Sequence, residues 1–402
     1  MHITLIAGAR PNFMKIAPLI KAIKSHNESV GEGVSGSGER ISYRLVHTGQ
    51  HYDKNMSDTF FEELGIPAPD VNLGCGGGSQ AEQTAHIMIE FEKDLMAHPT
   101  DIVLVVGDVT STMACSIVAK KLNTKVCHVE AGIRSWDLTM PEEINRMVTD
   151  SLADYMFTTS EIANRNLLRY GAILLSGNGN ELTTDPIFPE DKYANKRVSQ
   201  KVWYVGNVMI DTLLANRVRF RKPQVWEQLG LVEKQYIVMT MHRPANVDEE
   251  THLKALMEQI ITNVHGLPII FPIHPRTAKI FYSLWGDEEA LATRFSNLHI
   301  VEPMGYLEFN YLVERAKAVV TDSGGITEET TVMRVPCITL RDNTERPETC
   351  TIGTNELIGT NPAAIKPALD KLFAGEWKKG DIPPLWDGHA AERIIAIISR
   401  LV

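Results

Sequence analysis

Residues 101–130, DIVLVVGDVTSTMACSIVAKKLNTKVCHVE, decide the fold class of this chain. The run Ile102–Val106 is apolar without alternation, which is typical of a strand buried on both faces of a parallel sheet. Residues 113–121 have helical spacing, and Lys125–Val129 has the composition of a second strand. The order strand, helix, strand predicts a βαβ unit and thus a doubly wound α/β sheet.

Strand-like and helical segments alternate on both sides of this unit. In the first half, strands are predicted at residues 3–7, 43–48 and 155–158, and helices at 13–23 and 142–152. In the second half, strands are predicted at 236–240, 269–272, 298–301, 318–321 and 337–340, and a helix at 253–265. Residues 171–201 are rich in Gly, Asn, Pro and charge and predict a loop and linker, while 29–39 predict a surface loop. We therefore expect two doubly wound domains with a cleft between them and ligands beyond the carboxyl ends of the strands.

The composition restricts the possible functions. The 402 residues are enough for two domains, and 44% hydrophobic with 22% charged residues is typical of a soluble globular protein. A net charge of −10 argues against a broad nucleic-acid surface, so an anionic ligand would need a local cluster of cations. The five cysteines are odd in number and lack zinc-site spacing, which suits a reducing cytoplasm. The first residues do not resemble a signal peptide, and no run of about 18 apolar residues predicts a membrane span.

Acidic residues follow two of the predicted strands. Asp108 comes after Ile102–Val106 and faces the expected ligand edge, although it could equally cap the next helix. Glu130 follows the next strand, and alternation places it on the same side as His128. Its alternative role is a structural salt bridge with Arg134.

A further acidic pair, Glu142 and Glu143, follows Pro141 at a predicted helix start. The helix dipole alone would favour acids there. Adjacent helical side chains point in different directions, so one carboxylate can serve a site while the other pairs with Arg146.

Cations follow two other strands. Arg10 and Lys15 lie at and just inside a predicted helix start, where they can hold a phosphate or can simply be surface residues. The segment lacks the GxGxxG pattern, so a dinucleotide site is not supported. His242 and Arg243 follow the strand at 236–240 and suit contact with a phosphate or leaving group, with helix capping by the histidine as the alternative.

The segment 321–329, TDSGGITEE, joins a strand to a helix. Gly324 and Gly325 allow backbone N–H groups to approach an anion, and the helix dipole adds to the attraction. Glu329, one turn later, is placed to accept hydrogen bonds from two ribose hydroxyls. The alternative is a glycine-rich turn capped by Ser323.

Eight stretches together resemble the non-hydrolysing UDP-N-acetylglucosamine 2-epimerase family. In chain order they are GARPNFMKIAPL from residue 8, HTGQHYD from 47, VVGDVTST from 105, HVEAGIRS from 128, MPEEINR from 140, MHRPANVD from 241, TDSGGITEE from 321 and RDNTERPE from 341. The resemblance implies a glycosyltransferase-B fold, in which two Rossmann-like domains flank a cleft. It implies an N-terminal domain of residues 1–204, with a C-terminal helix at 388–402 packing back on it, and a UDP-binding domain of residues 205–387.

The resemblance also implies roles for individual residues. Asp108, Glu130 and Glu142 would be acid/base carboxylates, and His242 would support catalysis near the diphosphate. The expected substrate contacts are Arg10, Lys15 and Arg346, Phe309 at the uracil, and Ser323, Gly324, Gly325 and Glu329 at the phosphates and ribose.

The reaction of the family explains why several acids are needed. The hydrogen on C2 of the sugar is not acidic, so its removal must be coupled to loss of UDP from C1, which gives a glycal. UDP then adds back with C2 inverted, and inversion needs proton-handling groups on both faces of the ring. The resemblance implies no metal and no NAD, a homodimer, and supply of precursors for bacterial surface polysaccharides.

Three other functions stay open from the sequence. A close relative could epimerise a modified UDP-sugar such as a diacetamido uronic acid. A hydrolysing relative would release UDP and N-acetylmannosamine. A non-catalytic UDP-sugar sensor would use the same fold with idle carboxylates.

Overall fold

The computed structural model describes residues 1–31, 39–50, 64–168, 173–175, 200–273 and 275–401. The chain divides into two compact units, each with its own parallel sheet. Unit 1 is Met1–Ala215 with Pro384–Val402, and unit 2 is Asn216–Pro383. The predicted class of two parallel-sheet α/β domains is confirmed. Along the chain, the first boundary between the two units follows Ala215, whereas the sequence predicted this boundary after residue 204.

Unit 1 is built on an eight-stranded parallel sheet in the order β3-β2-β1-β4-β5-β6-β8-β7. Its strands are β1 His2–Ala7, β2 Ser42–His47, β3 Val71–Asn72, β4 Ile102–Val106, β5 Lys125–Val129, β6 Tyr155–Thr158, β7 Ile173–Leu175 and β8 Lys201–Tyr204. Every residue of β4 is buried, as its unbroken apolar run predicted. The strand order reverses between β1 and β4, and such switch points are where open α/β sheets bind ligands.

The helices of unit 1 cover this sheet. They are Arg10–Gly31, Gln80–Ala97, Thr110–Lys121, Pro141–Leu152, Glu161–Leu168, Val208–Arg217 and Ala390–Ile398. The last of them packs against Arg10–Gly31 and is held by Asp211, whose carboxylate accepts from the N–H groups of Ala390 and Ala391 at 3.1 and 2.7 Å. The C-terminal segment is therefore part of unit 1.

Unit 2 has a six-stranded parallel sheet in the order β11-β10-β9-β12-β13-β14. Its strands are β9 Ile237–Thr240, β10 Ile269–Pro272, β11 Leu298–Val301, β12 Ala318–Thr321, β13 Cys337–Thr339 and β14 Asn355–Leu357. Its helices are Gln224–Gln228, Pro244–Val247, Glu250–Asn263, Pro275–Trp285, Glu288–Arg294, Tyr306–Arg315, Gly324–Met333, Pro347–Thr351 and Ile365–Phe373, with a 3₁₀ turn at Pro362–Ala364. The strand order reverses between β9 and β12, so this pair marks the switch point of unit 2.

Two predicted loops differ in part from the structure. Ile173–Leu175 is a strand that pairs with β8, although the sequence predicted linker from 171 to 201; most of that segment lies outside the described residues. Residues 29–31 of the predicted surface loop continue the first helix, and residues 32–38 lie outside the described residues. The last three residues of HTGQHYD, 51–53, also lie outside them.

Candidate active site

Asp108 lies at the switch point of unit 1, directly after β4. It follows Gly107, whose φ of 67° places the turn in the left-handed region. Arg146 forms an ion pair with its carboxylate, and Asn145 Nδ2 donates to its backbone carbonyl at 2.9 Å. About a quarter of the Asp108 side chain, 25%, is exposed. The N-cap of the next helix is Val109, so the capping role considered for Asp108 is wrong.

Glu130 is paired with Lys15 rather than with Arg134. Glu130 Oε2 and Lys15 Nζ are 2.5 Å apart, and both side chains are buried. β5 ends at Val129 and Glu130 has a φ of 76°, so the alternation that linked it to His128 does not extend to it. Lys15 Nζ would lie 2.8 Å from a Cβ added at Gly107, which places this pair beside the Asp108 turn.

The two acids of helix Pro141–Leu152, called the PEE helix below, have different environments. Glu143 is fully buried and accepts from Ser135 N at 2.9 Å, Trp136 N at 3.1 Å and Arg146 Nη1 at 2.8 Å. Glu142 is exposed, and its carboxylate forms no hydrogen bond or ion pair with the residues that the structure describes. The predicted pairing of one acid with Arg146 is confirmed, and Glu143 is the acid that forms it.

Further along the PEE helix, Asp150 forms a buried group with His128 and Arg134. Asp150 Oδ1 is 2.7 Å from His128 Nδ1, and Asp150 Oδ2 is 2.6 Å from Arg134 Nη1. Burial alone would raise the pKa of Asp150, but His128 and Arg134 outweigh it and hold that pKa below its ordinary value. The group ties β5 and the loop after it to the PEE helix.

Arg10 is exposed at the first position of helix Arg10–Gly31. It therefore differs from Lys15, which the same helix buries against Glu130. Asn12 lies between them and joins the ends of β1 and β4, because its side chain accepts from Gly8 N and donates to Val106 O, both at 3.0 Å.

His242 lies at the switch point of unit 2 and contacts Asp322. Asp322 follows β12, is fully buried, and has an oxygen 3.0 Å from His242 Nδ1. Its carboxylate also accepts from the backbone N–H groups of His242 and Arg243. Burial alone would raise the pKa of Asp322, but these hydrogen bonds and the charge of His242 hold it below its ordinary value.

The His242 ring is 56% exposed, so its other nitrogen can reach a ligand. The N-cap of the following helix is Arg243, so the capping role considered for His242 is wrong.

The N-terminus of helix Gly324–Met333, the glycine helix, is open to an anion. Ser323 is its N-cap, but the serine side chain makes no capping hydrogen bond within the described residues. Ser323 therefore occupies the capping position considered for it, without the side-chain hydrogen bond of a cap. A Cβ at Gly325 would have no described atom within 4 Å outside its own helix backbone and chain neighbours, which leaves room for a ligand. Unpaired N–H groups and the helix dipole together form a phosphate-binding geometry.

Glu329 is buried on the glycine helix, where it faces Tyr306 and Asn310 of helix Tyr306–Arg315. Neither the Tyr306 hydroxyl nor the Asn310 amide makes a hydrogen bond of normal geometry within the described part of the chain. Burial, with the charge of Glu328, raises the pKa of Glu329 to about 7. Phe309, on the same helix as Tyr306, is half-buried.

The cations of the 341–348 segment are held by buried acids. Arg346 Nε is 2.5 Å from Glu328 Oε1, and Arg341 binds both carboxylate oxygens of Glu345 at 2.8 and 2.9 Å. Any ligand contact by Arg346 would therefore be made alongside an existing ion pair.

The structure thus gathers the predicted residues into two groups, one in each unit. Asp108, Glu130 and Lys15 are linked in unit 1, with Glu142 beside Glu143. His242, Ser323, Gly324 and Gly325 lie at the strand ends of unit 2, and Glu329 lies further along the glycine helix. Sequence reasoning assigned no role to Asp150, Asp322, Tyr306 or Asn310. Asp322 could have been recognised from the sequence, because it directly follows a predicted strand.

Comparison with known proteins identifies the family. The sequence model described as UDP-N-acetylglucosamine 2-epimerase matches residues 36–399. The chain belongs to the UDP-N-acetylglucosamine 2-epimerase family. Among its relatives in this epimerase family is the UDP-N-acetylglucosamine 2-epimerase of Methanocaldococcus jannaschii, 37% identical over 99% of both chains. Another is the UDP-2,3-diacetamido-2,3-dideoxy-D-glucuronate 2-epimerase of Pseudomonas aeruginosa, 33% identical over 100% of this chain.

A solved structure of the epimerase family supports the same assignment. The crystal structure of the M. jannaschii enzyme in complex with UDP-GlcNAc and UDP has a TM-score of 0.80, with 99% of each chain covered. Within the described residues, no helix is long and apolar enough to cross a membrane. Within the same residues, no three His, Cys, Asp or Glu side chains are grouped to hold a metal ion.

Proposed function

We propose that the protein interconverts UDP-N-acetylglucosamine and UDP-N-acetylmannosamine by inversion at C2, through elimination and re-addition of UDP by way of a glycal. The observation that carries the proposal is the linked set of acids in unit 1. Lys15 holds Glu130 beside the Asp108 turn, and Arg146 connects Asp108 to the helix turn that carries Glu142. Inversion needs proton-handling groups on both faces of the ring, and this set supplies three.

Unit 2 supplies groups suited to the UDP part. Ser323, Gly324 and Gly325 at the start of the glycine helix would bind the phosphates, since N–H groups and the dipole favour negative charge there. His242, oriented by Asp322, would stabilise the departing diphosphate. Glu329 would accept hydrogen bonds from the ribose hydroxyls, and Phe309 would line the uracil pocket.

The remaining predicted contacts are part of the same proposal. Arg10 is exposed and would reach the substrate directly. Lys15 and Arg346 would contact it while keeping their ion pairs with Glu130 and Glu328.

Incubation with UDP-N-acetylglucosamine in D₂O, followed by NMR, tests the proposal. We expect a UDP-linked manno product, deuterium at C2 of both epimers, and approach to equilibrium from either sugar. Absence of both deuterium and the manno product would exclude this substrate. Free UDP formed in step with inversion would instead indicate the hydrolysing reaction.

A second candidate substrate is a UDP-diacetamido uronic acid. The similarity to the P. aeruginosa enzyme favours it, because that identity spans the whole chain. The uronate adds a carboxylate, which the exposed Arg10 could bind. Measuring the turnover of both UDP-sugars at equal concentration separates the two candidates. A higher kcat/KM for the uronate would favour it as the substrate in place of UDP-N-acetylglucosamine.

We further propose that the enzyme acts in the cytoplasm as a homodimer that supplies precursors for surface polysaccharides. Family resemblance supports this proposal. Light scattering of the purified protein tests the dimer, and a monomer at assay concentration would contradict it.

A further inference from the structure

His128 is fully buried at the end of β5, and both of its ring nitrogens have partners. Nδ1 is 2.7 Å from Asp150 Oδ1, and Nε2 is 2.8 Å from the backbone carbonyl of Gly107. A carbonyl oxygen can only accept a hydrogen bond. Asp150 is also an acceptor, because its other oxygen receives Arg134 Nη1 at 2.6 Å and Gly132 N at 3.1 Å.

These two partners determine the protonation of the ring. A neutral imidazole donates from one nitrogen and accepts at the other. With the neutral ring, one of the two short contacts would join two acceptors inside a buried site, which is costly. The imidazolium donates from both nitrogens and satisfies both partners.

We propose that His128 is a protonated positioning residue that clamps the Gly107 carbonyl to Asp150 and so fixes the turn presenting Asp108. Both backbone polar groups of Gly107 are held, because its carbonyl contacts His128 Nε2 and its N–H donates to Val129 O at 3.1 Å. Its φ of 67° lies in the left-handed region, which glycine adopts without steric cost, so these two hydrogen bonds select this conformation among those open to glycine. The functional consequence rests on the proposed role of Asp108, whereas the protonation state does not.

The charged groups that face this clamp come from three elements. Asp150 lies on the PEE helix, Arg134 on the loop after β5, and Lys15 on helix Arg10–Gly31, beside Gly107. Asp150 pairs with the imidazolium that the two acceptor contacts require.

NMR of protein labelled with ¹⁵N in its histidines tests the protonation directly. At pH 7.5 we expect one histidine with both ring nitrogens protonated, and loss of that signal in His128→Gln. A His128 ring with a single protonated nitrogen at pH 7.5 would overturn the proposal. This result is independent of which sugar, if any, the protein turns over.

Kinetics test the positioning role. In His128→Gln the amide can still donate to one partner, so we expect kcat to fall about 10²-fold with KM within about twofold. Asp150→Asn should lower kcat similarly, and the double variant should fall no further than the stronger single variant. The control is His389→Gln, which changes an exposed histidine. A folded His128→Gln variant with wild-type kcat would refute the positioning role of His128. If that variant does not fold, Asp150→Asn replaces it in the test. Wild-type kcat in Asp150→Asn would then refute the positioning role equally.

Discussion

The candidate sites of the two units differ in how their polar groups are satisfied. In unit 1, Lys15, Glu130, Arg146 and Asp108 satisfy one another through short ion pairs before any substrate is considered. In unit 2, the glycine helix has no side-chain cap among the described residues, and the buried Tyr306 hydroxyl faces Glu329 without a hydrogen bond of normal geometry. The first arrangement suits chemistry, because fixed charges need no reorganisation during reaction. The second suits binding, because a ligand gains hydrogen bonds that the protein does not make itself.

The same contrast occurs on a smaller scale within the PEE helix. Glu143 is buried and satisfied by three partners, while Glu142 beside it is exposed. A buried acid with all its acceptor positions occupied is suited to structure, and an exposed acid can exchange protons with a ligand.

The largest expected effect separates these two acids. Glu142→Gln should lower kcat by about 10²- to 10⁴-fold and change the free energy of unfolding by less than about 0.5 kcal/mol. Glu143→Gln should instead destabilise the protein by on the order of 3 kcal/mol, because Arg146 and the N–H groups of Ser135 and Trp136 lose a charged acceptor. Urea unfolding and initial rates measure both effects. Reversal of the two outcomes would assign the proton-handling role to Glu143.

A smaller effect is expected at the glycine helix. Gly325→Ala has room for its methyl group and should stabilise the helix by up to about 1 kcal/mol. If phosphate approaches this backbone, the same methyl should weaken UDP binding by about 10- to 100-fold in calorimetry. Gly31→Ala, at the end of another helix, is the matched control and should leave UDP affinity unchanged. Unchanged UDP affinity in Gly325→Ala would place the phosphates elsewhere.

The smallest expected effect concerns pH. The pKa of Glu329 is about 7, so the carboxyl is mostly protonated below that pH and ionised above it. The ionised form accepts hydrogen bonds from both ribose hydroxyls, so affinity should rise as pH rises through about 7. Uridine is the probe because it has no phosphate to titrate, and we expect about fivefold tighter binding at pH 8 than at pH 6. Glu329→Gln should show no such slope, and an equal slope in that variant would exclude Glu329 as its source.

The sequence predicted the sheets because buried parallel strands have an unbroken apolar pattern, and it proposed candidate site residues because polar residues follow those strands. Asp108 and Glu130 became candidates in this way, and the structure places them just after β4 and β5. Their partners were harder to predict: the Lys15 to Glu130 pair joins two βαβ units, and alternation fails at Glu130, where φ is positive. The contact between His242 and Asp322 depends on β9 lying beside β12, which local sequence does not specify.

The raised pKa of Glu329 could not be predicted either. It results from burial between two helices and from the charge of Glu328, so it depends on how those helices pack. The roles that local pattern allowed for Asp108 and His242 as helix caps were excluded by the observed caps, whereas Ser323 occupies the N-cap position without a side-chain capping hydrogen bond. Capping residues and catalytic residues share the same polar types at strand ends, so composition alone does not separate them.

The central claim is that unit 1 performs proton chemistry at C2 while unit 2 holds UDP. The most direct test is deuterium incorporation at C2 of UDP-N-acetylglucosamine in D₂O by Asp108→Asn, with Glu161→Gln as the surface control and UDP affinity titrated on the same preparations. We predict exchange at least about 10²-fold slower than in the wild type, with UDP affinity within about twofold. Exchange at the wild-type rate in Asp108→Asn would contradict the claim.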